Sequence, residues 1–224
     1  MTTLLKLLTL PLAWLVAAAP ALAGYISTPS LNDIYGQSAF GSTPVTINWL
    51  APGATVVSSA LASIDSDPDF EALAALLQGS ANTITAFFVD AINFCGGPGG
   101  GIVGCASIGG NVFAVDSSFA AGASGALTLA HELGHNLGLG HVAGSNTNLM
   151  NPTVGSSLLS NIGRFSQIAI ILASSRVQTA TNGSRFIDII PVAVVSSIPE
   201  PHQYLMLSMG FILVGTIARR RVAA

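Results

Sequence analysis

Residues 131–141 read HELGHNLGLGH, and this stretch decides the fold class predicted for the chain. The chain contains four histidines, and three of them, His131, His135 and His141, lie here. A helix over 124–137 would place His131 and His135 one turn apart on the same face. Gly138 is suited to end that helix with a positive φ angle. The chain can then turn back and bring His141 to the same point as the first two rings.

Three neutral histidine nitrogens with one open coordination position are typical of a catalytic zinc ion, whereas structural zinc sites have four protein ligands. Glu132 directly follows the first histidine, so its carboxylate is expected to act as the general base on a water molecule at the open position. The full pattern HExxHxxGxxH is much more specific than HExxH alone. The alternative is three exposed or otherwise hydrogen-bonded histidines without a metal.

These residues resemble the zinc motif of the metzincin metallopeptidases. The resemblance implies an α+β domain with a small, twisted, mostly parallel sheet and an antiparallel edge strand. It also implies an active-site helix, a turn with a methionine beneath the metal (the Met-turn) and a C-terminal helix. NLMNP at 148–152 fits that turn through Met150, for which ordinary core packing is the alternative. Residues 153–157 are expected to form part of the S1′ pocket.

The sequence GIVGCASIGGNVFAVDSS at 101–118 resembles the two strands that precede the active-site helix in the same family. There the first strand is an edge strand that binds extended substrate through backbone hydrogen bonds, a form of strand addition. A purely structural strand is the alternative. The residues that the resemblance assigns to substrate binding are Ile102, Val103, Gly104, Ala106, Ser107 and Ile108.

Three departures from the metzincin pattern are visible. The region 24–80 is short and matches poorly, so an N-terminal element of the usual domain is expected to be absent. The predicted catalytic domain has no tyrosine after Met150 that could act as a further metal ligand. No cysteine precedes Cys95, so a cysteine-switch propeptide is not expected.

The N-terminal end predicts a secretory signal peptide over residues 1–23. Lys6 is followed by an apolar run, and Ala21-Leu22-Ala23 offers the small residues that signal peptidase accepts. Cleavage is expected after Ala23, and the alternative is an uncleaved anchor. The apolar N-terminal and C-terminal ends of the chain contribute to its mean hydropathy of +0.66 and to its charged fraction of only 8%.

The C-terminal end predicts a short transmembrane helix at 204–218, somewhat below the ~20 residues of a comfortable span. A basic cluster follows it and favours the cytoplasmic side. The unit resembles the PEP-CTERM sorting signal of Gram-negative bacteria, which implies processing by an exosortase-type enzyme and delivery to the cell surface or extracellular matrix. A plain membrane anchor is the alternative. The residues that carry the resemblance are Pro199, Glu200, Pro201, Arg219, Arg220 and Arg221.

The two cysteines, Cys95 and Cys105, are expected to form a disulfide, because export would place them in an oxidising compartment. Two free thiols are the alternative. The acidic balance of the chain, with a formal net charge of -3, argues against a nucleic-acid partner.

The predicted organisation is a catalytic domain over 24–177, a linker over 178–198 and the sorting signal over 199–224. Residues 25–43 are predicted to be irregular. Strands are predicted at 44–50, 83–92, 102–108 and 112–115. Helices are predicted from residue 67 to about 78, at 124–137 and at 160–176.

The function predicted from the sequence is that of an exported zinc metalloendopeptidase with one catalytic Zn²⁺ and a protein or peptide substrate. Two alternatives stay open at this point. One is a surface or matrix protein with a structural zinc site, against which the presence of Glu132 argues. The other is a zinc hydrolase that cuts cell-wall peptides.

Overall fold

The computed structural model describes residues 28–143, 147–153, 157–159 and 166–196. The predicted signal peptide and sorting signal, including Pro199–Pro201 and Arg219–Arg221, lie outside these residues. The helices of the described part are α1 (Thr28–Tyr35), α2 (Asp67–Ala74), α3 (Ser117–Ala120), α4 (Gly125–Asn136) and α5 (Gln167–Ala173), with a 3₁₀ turn at Ser38–Phe40. In the part of the chain so described, no helix is long and apolar enough to cross a membrane.

The strands are β1 (Val45–Trp49), β2 (Val56–Val57), β3 (Ser63–Ile64), β4 (Ile84–Val89), β5 (Ala91–Phe94), β6 (Pro98–Ile102), β7 (Gly104–Ala106), β8 (Val112–Asp116), β9 (Gln178–Thr179) and β10 (Arg185–Val195). The main sheet has the order β1-β10-β4-β8-β7. The first three of these pairings are parallel, and β7 pairs antiparallel with β8 at the edge. The predicted mostly parallel sheet with an antiparallel edge strand is therefore confirmed.

The predicted linker over 178–198 is wrong, because most of it forms β9 and the central strand β10. β10 pairs with β1 on one side and with β4 on the other. A parallel strand that is covered on both faces has a nearly continuous apolar sequence and lacks the alternation of a half-exposed strand. FIDIIPVAVV at 186–195 fits that description.

Pro191 is tolerated within β10 because the neighbouring ladder is interrupted at its position. β1 ends at Trp49 and β2 begins at Val56, and Gly53 in the interruption donates its backbone N–H to the Pro191 carbonyl. The ring nitrogen of Pro191 lies on this interrupted side, so the missing N–H removes no bond to β4.

Side chains alternate across β4 into two separate cores. Ile84, Ala86 and Phe88 belong to the core that α1, α4 and α5 cover, whereas Phe87 and Val89 belong to the core beneath α2. A second sheet of order β3-β5-β6 lies on the side of the smaller core. Because both faces of the main sheet are covered, every residue of β4 is buried.

Residues 25–43 were predicted to be irregular, yet α1 occupies 28–35. Leu31, Ile34 and Tyr35 of this short helix are buried in the larger core. A helix of this length has little stability of its own and depends on tertiary packing, which its sequence TPSLNDIY does not reveal.

The remaining predicted elements differ mainly at their boundaries. α2 ends at Ala74 and not near residue 78, and the predicted strand at 83–92 is divided between β4 and β5. The predicted strand at 102–108 is reduced to β7, because Ile102 ends β6 in the smaller sheet. Within the predicted helix at 160–176, α5 covers Gln167–Ala173, while residues 160–165 lie outside the described residues.

Candidate metal centre and active site

The helix α4 carries two of the three histidines on the face that looks away from the larger core. Leu129 and Leu133 are fully buried in that core. His131 and His135 each come two residues later, which places them on roughly the opposite side of the helix. Both histidines are themselves largely buried, whereas His141, on the loop that follows, is exposed. The predicted i and i+4 placement on a helix is confirmed by the bounds of α4.

The three imidazoles converge on one point. His141 Nε2 lies 3.2 Å from His131 Nε2 and 3.2 Å from His135 Nε2. Two nitrogens bound tetrahedrally to one zinc ion at about 2.0–2.1 Å would be about 3.4 Å apart, so these separations fit a single ion. These three ligand atoms all lie within 4.8 Å of one another.

Backbone carbonyls set the tautomers of the two buried histidines. His131 Nδ1 lies 2.8 Å from the Leu149 carbonyl oxygen, and His135 Nδ1 lies 2.8 Å from that of Leu139. A carbonyl only accepts, so each Nδ1 must carry the proton and each Nε2 must present a lone pair. Lone pairs that face one another repel, and a shared cation is the group that satisfies them.

Burial keeps the first two histidines neutral. It lowers the pKa of His131 to about 4, although the hydrogen bond to Leu149 acts in the opposite direction. Burial also lowers the pKa of His135. Because metal binding requires unprotonated nitrogen, this environment favours the ligand form of both rings throughout the neutral pH range.

The predicted helix end at Gly138 is confirmed. Its φ is 103°, a conformation that favours glycine. The amide of Gly138 donates to the His135 carbonyl, and that of Leu139 donates to the Gly134 carbonyl. These bonds close the helix and reverse the chain, which carries His141 back toward the other two rings.

Met150, the residue of the predicted Met-turn, packs against α4. It is fully buried, and its Sδ would be only 2.6 Å from a Cβ on Gly134, so the absence of a side chain there admits the thioether. The Met150 amide donates to Asn148 Oδ1, and the Asn148 amide group exchanges hydrogen bonds with Gln167 at the start of α5. This turn also supplies the Leu149 carbonyl that holds His131.

Glu132 and the histidines open into a cleft of about 820 Å³. Burial raises the pKa of the Glu132 carboxyl to about 8. A dication held by the adjacent rings would favour the ionised form, because an opposite charge lowers the pKa of a carboxyl group. A wall of this cleft contains all the residues assigned to substrate binding: Ile102, Val103, Gly104, Ala106, Ser107 and Ile108.

Only part of that wall is strand. β7 spans Gly104–Ala106, and Gly110 donates to the Ser107 carbonyl in the turn that leads to β8. β7 is an edge strand, because its ladder in the main sheet is with β8 alone among the described strands. The free side of an edge strand is able to pair with an extended peptide.

The predicted disulfide between Cys95 and Cys105 is present. It joins the chain that follows β5 to the middle of β7, so it ties the smaller sheet to the edge strand of the main sheet. Both cysteines line the cleft. The bond therefore restrains the wall of the cleft that contains β7.

Two positioning contacts were not predicted from the sequence. Asn136 Nδ2 donates to the carbonyls of Ser107 and Val112, which fastens the β7–β8 turn to the end of α4. The Tyr35 hydroxyl donates to the Ala130 carbonyl over 2.8 Å within the core. Both contacts join segments that are distant in sequence, and no local pattern indicates them.

Comparison with known families gives a match over part of the chain. Residues 54–142 match the reprolysin-like family M12B of metallopeptidases, which is less than half of the 224 residues but includes all three histidines. No curated protein and no solved structure matches the chain. The mixed α/β fold with its mostly parallel sheet is consistent with a zincin-like metallopeptidase domain.

The similarity and the site agree on the chemistry. The match supports zinc metallopeptidase activity, and the three-histidine group is compatible with a single zinc ion. A peptidase of this kind has a protein or peptide substrate.

Proposed function

We propose that the chain is an exported zinc-dependent endopeptidase with Glu132 as its general base. The observation that carries the proposal is the convergence of three Nε2 atoms, two of them with their Nδ1 atoms held by carbonyls, beside a carboxylate in an open cleft. A structural zinc site would have no use for that carboxylate or for an accessible cleft.

His131, His135 and His141 would hold the ion. When bound, zinc supplies Lewis-acid polarisation of the scissile carbonyl and lowers the pKa of water. The Glu132 carboxylate accepts the proton of the attacking water and delivers it to the nitrogen of the leaving amine, so it ends each cycle ionised. Glu132 directly follows His131 and lies three residues before His135 on α4, so the helix that carries two of the three ligands also carries the base.

An extended peptide would add to the free edge of β7. Main-chain hydrogen bonds from such pairing recognise any backbone and not a chain terminus. The cleft is open and contains, among its described lining residues, no arginine or lysine that could bind a terminal carboxylate. These features favour cleavage within a chain over removal of C-terminal residues.

The test compares the full chain, produced in the periplasm of a bacterial host, with its Glu132→Gln variant. Glutamine keeps the size of the side chain and removes the base. Both proteins are expected to bind about one zinc per chain, and the variant is expected to cleave an internally quenched peptide library at least ~10²-fold more slowly. Equal rates would refute the role of Glu132.

Assays with different substrates distinguish the endopeptidase from a cell-wall hydrolase and from a protein with a structural zinc site. Casein and the peptide library test the endopeptidase, and purified peptidoglycan tests a cell-wall hydrolase. If both proteins hold zinc and neither digests any of the three, the metal is structural and the endopeptidase proposal is wrong.

We further propose delivery to the surface of a Gram-negative cell, with transient anchoring by residues 204–218. This rests on the sequence patterns of the two ends, the Ala21-Leu22-Ala23 site and the Pro199-Glu200-Pro201 unit with its basic tail. Mass spectrometry of the protein from an exosortase-containing host should find Gly24 as the first residue and a C-terminus near Pro199–Pro201. An intact N-terminus or an unprocessed C-terminus would contradict the respective half of the proposal.

A further inference from the structure

Gly104, at the start of the edge strand β7, lies directly against the side chain of Glu132. A Cβ atom built on Gly104 would lie 2.6 Å from both Cγ and Cδ of Glu132 and would overlap its Oε1. Carbon atoms that are not bonded normally approach no closer than about 3.5 Å. Any side chain at position 104 is therefore incompatible with the place that the Glu132 carboxyl group occupies.

The backbone does not require glycine at this position. Gly104 is absent from the residues with positive φ, and it pairs in regular antiparallel register with Val115. Alanine fits such a strand without strain. The space for the carboxyl group is therefore the feature that a glycine supplies here.

Alternation along β7 explains why the two neighbouring positions differ. Cys105 points into the smaller core, where it is 4% exposed. Gly104 faces the opposite side of the strand, toward α4, where the three atoms nearest to a Cβ all belong to the flexible side chain of Glu132. A larger residue would displace that side chain before it displaced the strand.

We propose that Gly104 is a positioning residue, whose missing side chain provides the space that holds the Glu132 carboxylate beside the three histidines. The catalytic part of this inference rests on the proposed function. Position 104 thus acts on the general base and leaves the metal ligands untouched, which makes its effect separable from that of the histidines.

The first test compares Gly104→Ala with Gly97→Ala in the full chain. Gly97 has an ordinary φ, no atom within 4 Å of a built Cβ, and no place in the lining of the cleft. Gly104→Ala is expected to keep about one zinc per chain and to lower kcat at least ~10²-fold, the contribution of a general base, with KM changed less than about threefold. Gly97→Ala should retain wild-type values of all three quantities.

The second test requires no catalysis. Thermal unfolding is measured on metal-free wild type, Gly104→Ala, Glu132→Ala and the double variant. Gly104→Ala should lower Tm in the wild-type background and should leave it unchanged or slightly raised in the Glu132→Ala background, because truncation of Glu132 removes the overlapping atoms and alanine restricts the unfolded chain more than glycine does.

The proposal is wrong if Gly104→Ala retains wild-type kcat, if it loses zinc, or if it lowers Tm equally in both backgrounds. If the wild-type protein cleaves none of the substrates, the proposed function is wrong. The comparison of Tm among the four proteins still decides whether Gly104 provides the space for Glu132.

Discussion

Removal of the disulfide should loosen the cleft wall and leave the metal centre intact. Cys95 and Cys105 are separated by 10 residues in sequence. A cross-link that closes a loop of this size lowers the entropy of the unfolded chain by an amount worth about 2.7 kcal/mol at 25 °C. For a domain of this size, about 2–4 °C of Tm corresponds to 1 kcal/mol. The Cys95→Ala/Cys105→Ala variant should therefore unfold about 5–10 °C lower.

The assay is thermal unfolding of the metal-free protein, with zinc content and peptide cleavage measured in parallel. Reductant should lower the Tm of the wild type to about that of the double variant, which itself should not respond. Because the bond holds β7 and not the histidines, zinc content should stay constant while KM rises. A double variant with wild-type Tm would refute the loop argument, and a loss of zinc would refute the separation of cleft wall from metal centre.

Four further outcomes are expected. Tyr35→Phe removes the buried hydrogen bond to Ala130 and should lower the free energy of unfolding in urea by about 1 kcal/mol; an unchanged midpoint would contradict this. Gly138→Ala places a side chain at a φ of 103°, so it should cost at least ~1 kcal/mol and weaken zinc retention against a chelator. The pKa of His131 is lowered from 6.5 to about 4 in the fold, so the unfolded state binds more protons than the folded state between these pH values. The metal-free protein should therefore lose stability as pH falls from about 6.5 to about 4. A His131→Ala variant should lose less stability over the same range. A chain that ends at residue 177 lacks β9 and β10 and should show no cooperative unfolding transition, whereas one that ends at residue 198 should.

The metal centre could be predicted from the sequence because its determinants are local. Helix periodicity aligns His131 with His135, and a glycine that accepts positive φ returns the chain to His141. All of these residues lie within one stretch of eleven. The disulfide was predictable for a related reason, since its two cysteines are close in sequence and separated by a glycine-rich segment.

The surroundings of the centre were not predictable because their determinants are distant in sequence. The hydrogen bond from Tyr35 to Ala130 spans 95 residues, and the bond from Asn136 to Ser107 spans 29. The space that Gly104 leaves for the Glu132 side chain depends on the register of β7 against β8 and on the distance at which α4 packs against the sheet. A single sequence carries no periodic pattern for any of these relations.

The segment 178–198, which was predicted to be a linker and contains β10, shows that the cleft depends on residues distant in sequence from the histidines. β7, which lines the cleft, pairs with β8, β8 pairs with β4, and β4 pairs with β10. β10 comes last in the described chain, after the metal motif and the Met-turn, and its apolar run has no alternation that distinguishes a central strand from an apolar connecting segment. The histidine spacing is therefore set by α4 and the loop after it, whereas the position of β7 beside Glu132 depends on strand pairings that extend to β10. Zinc ligation is specified by a short stretch of sequence, whereas the cleft that would make it catalytic requires the whole sheet.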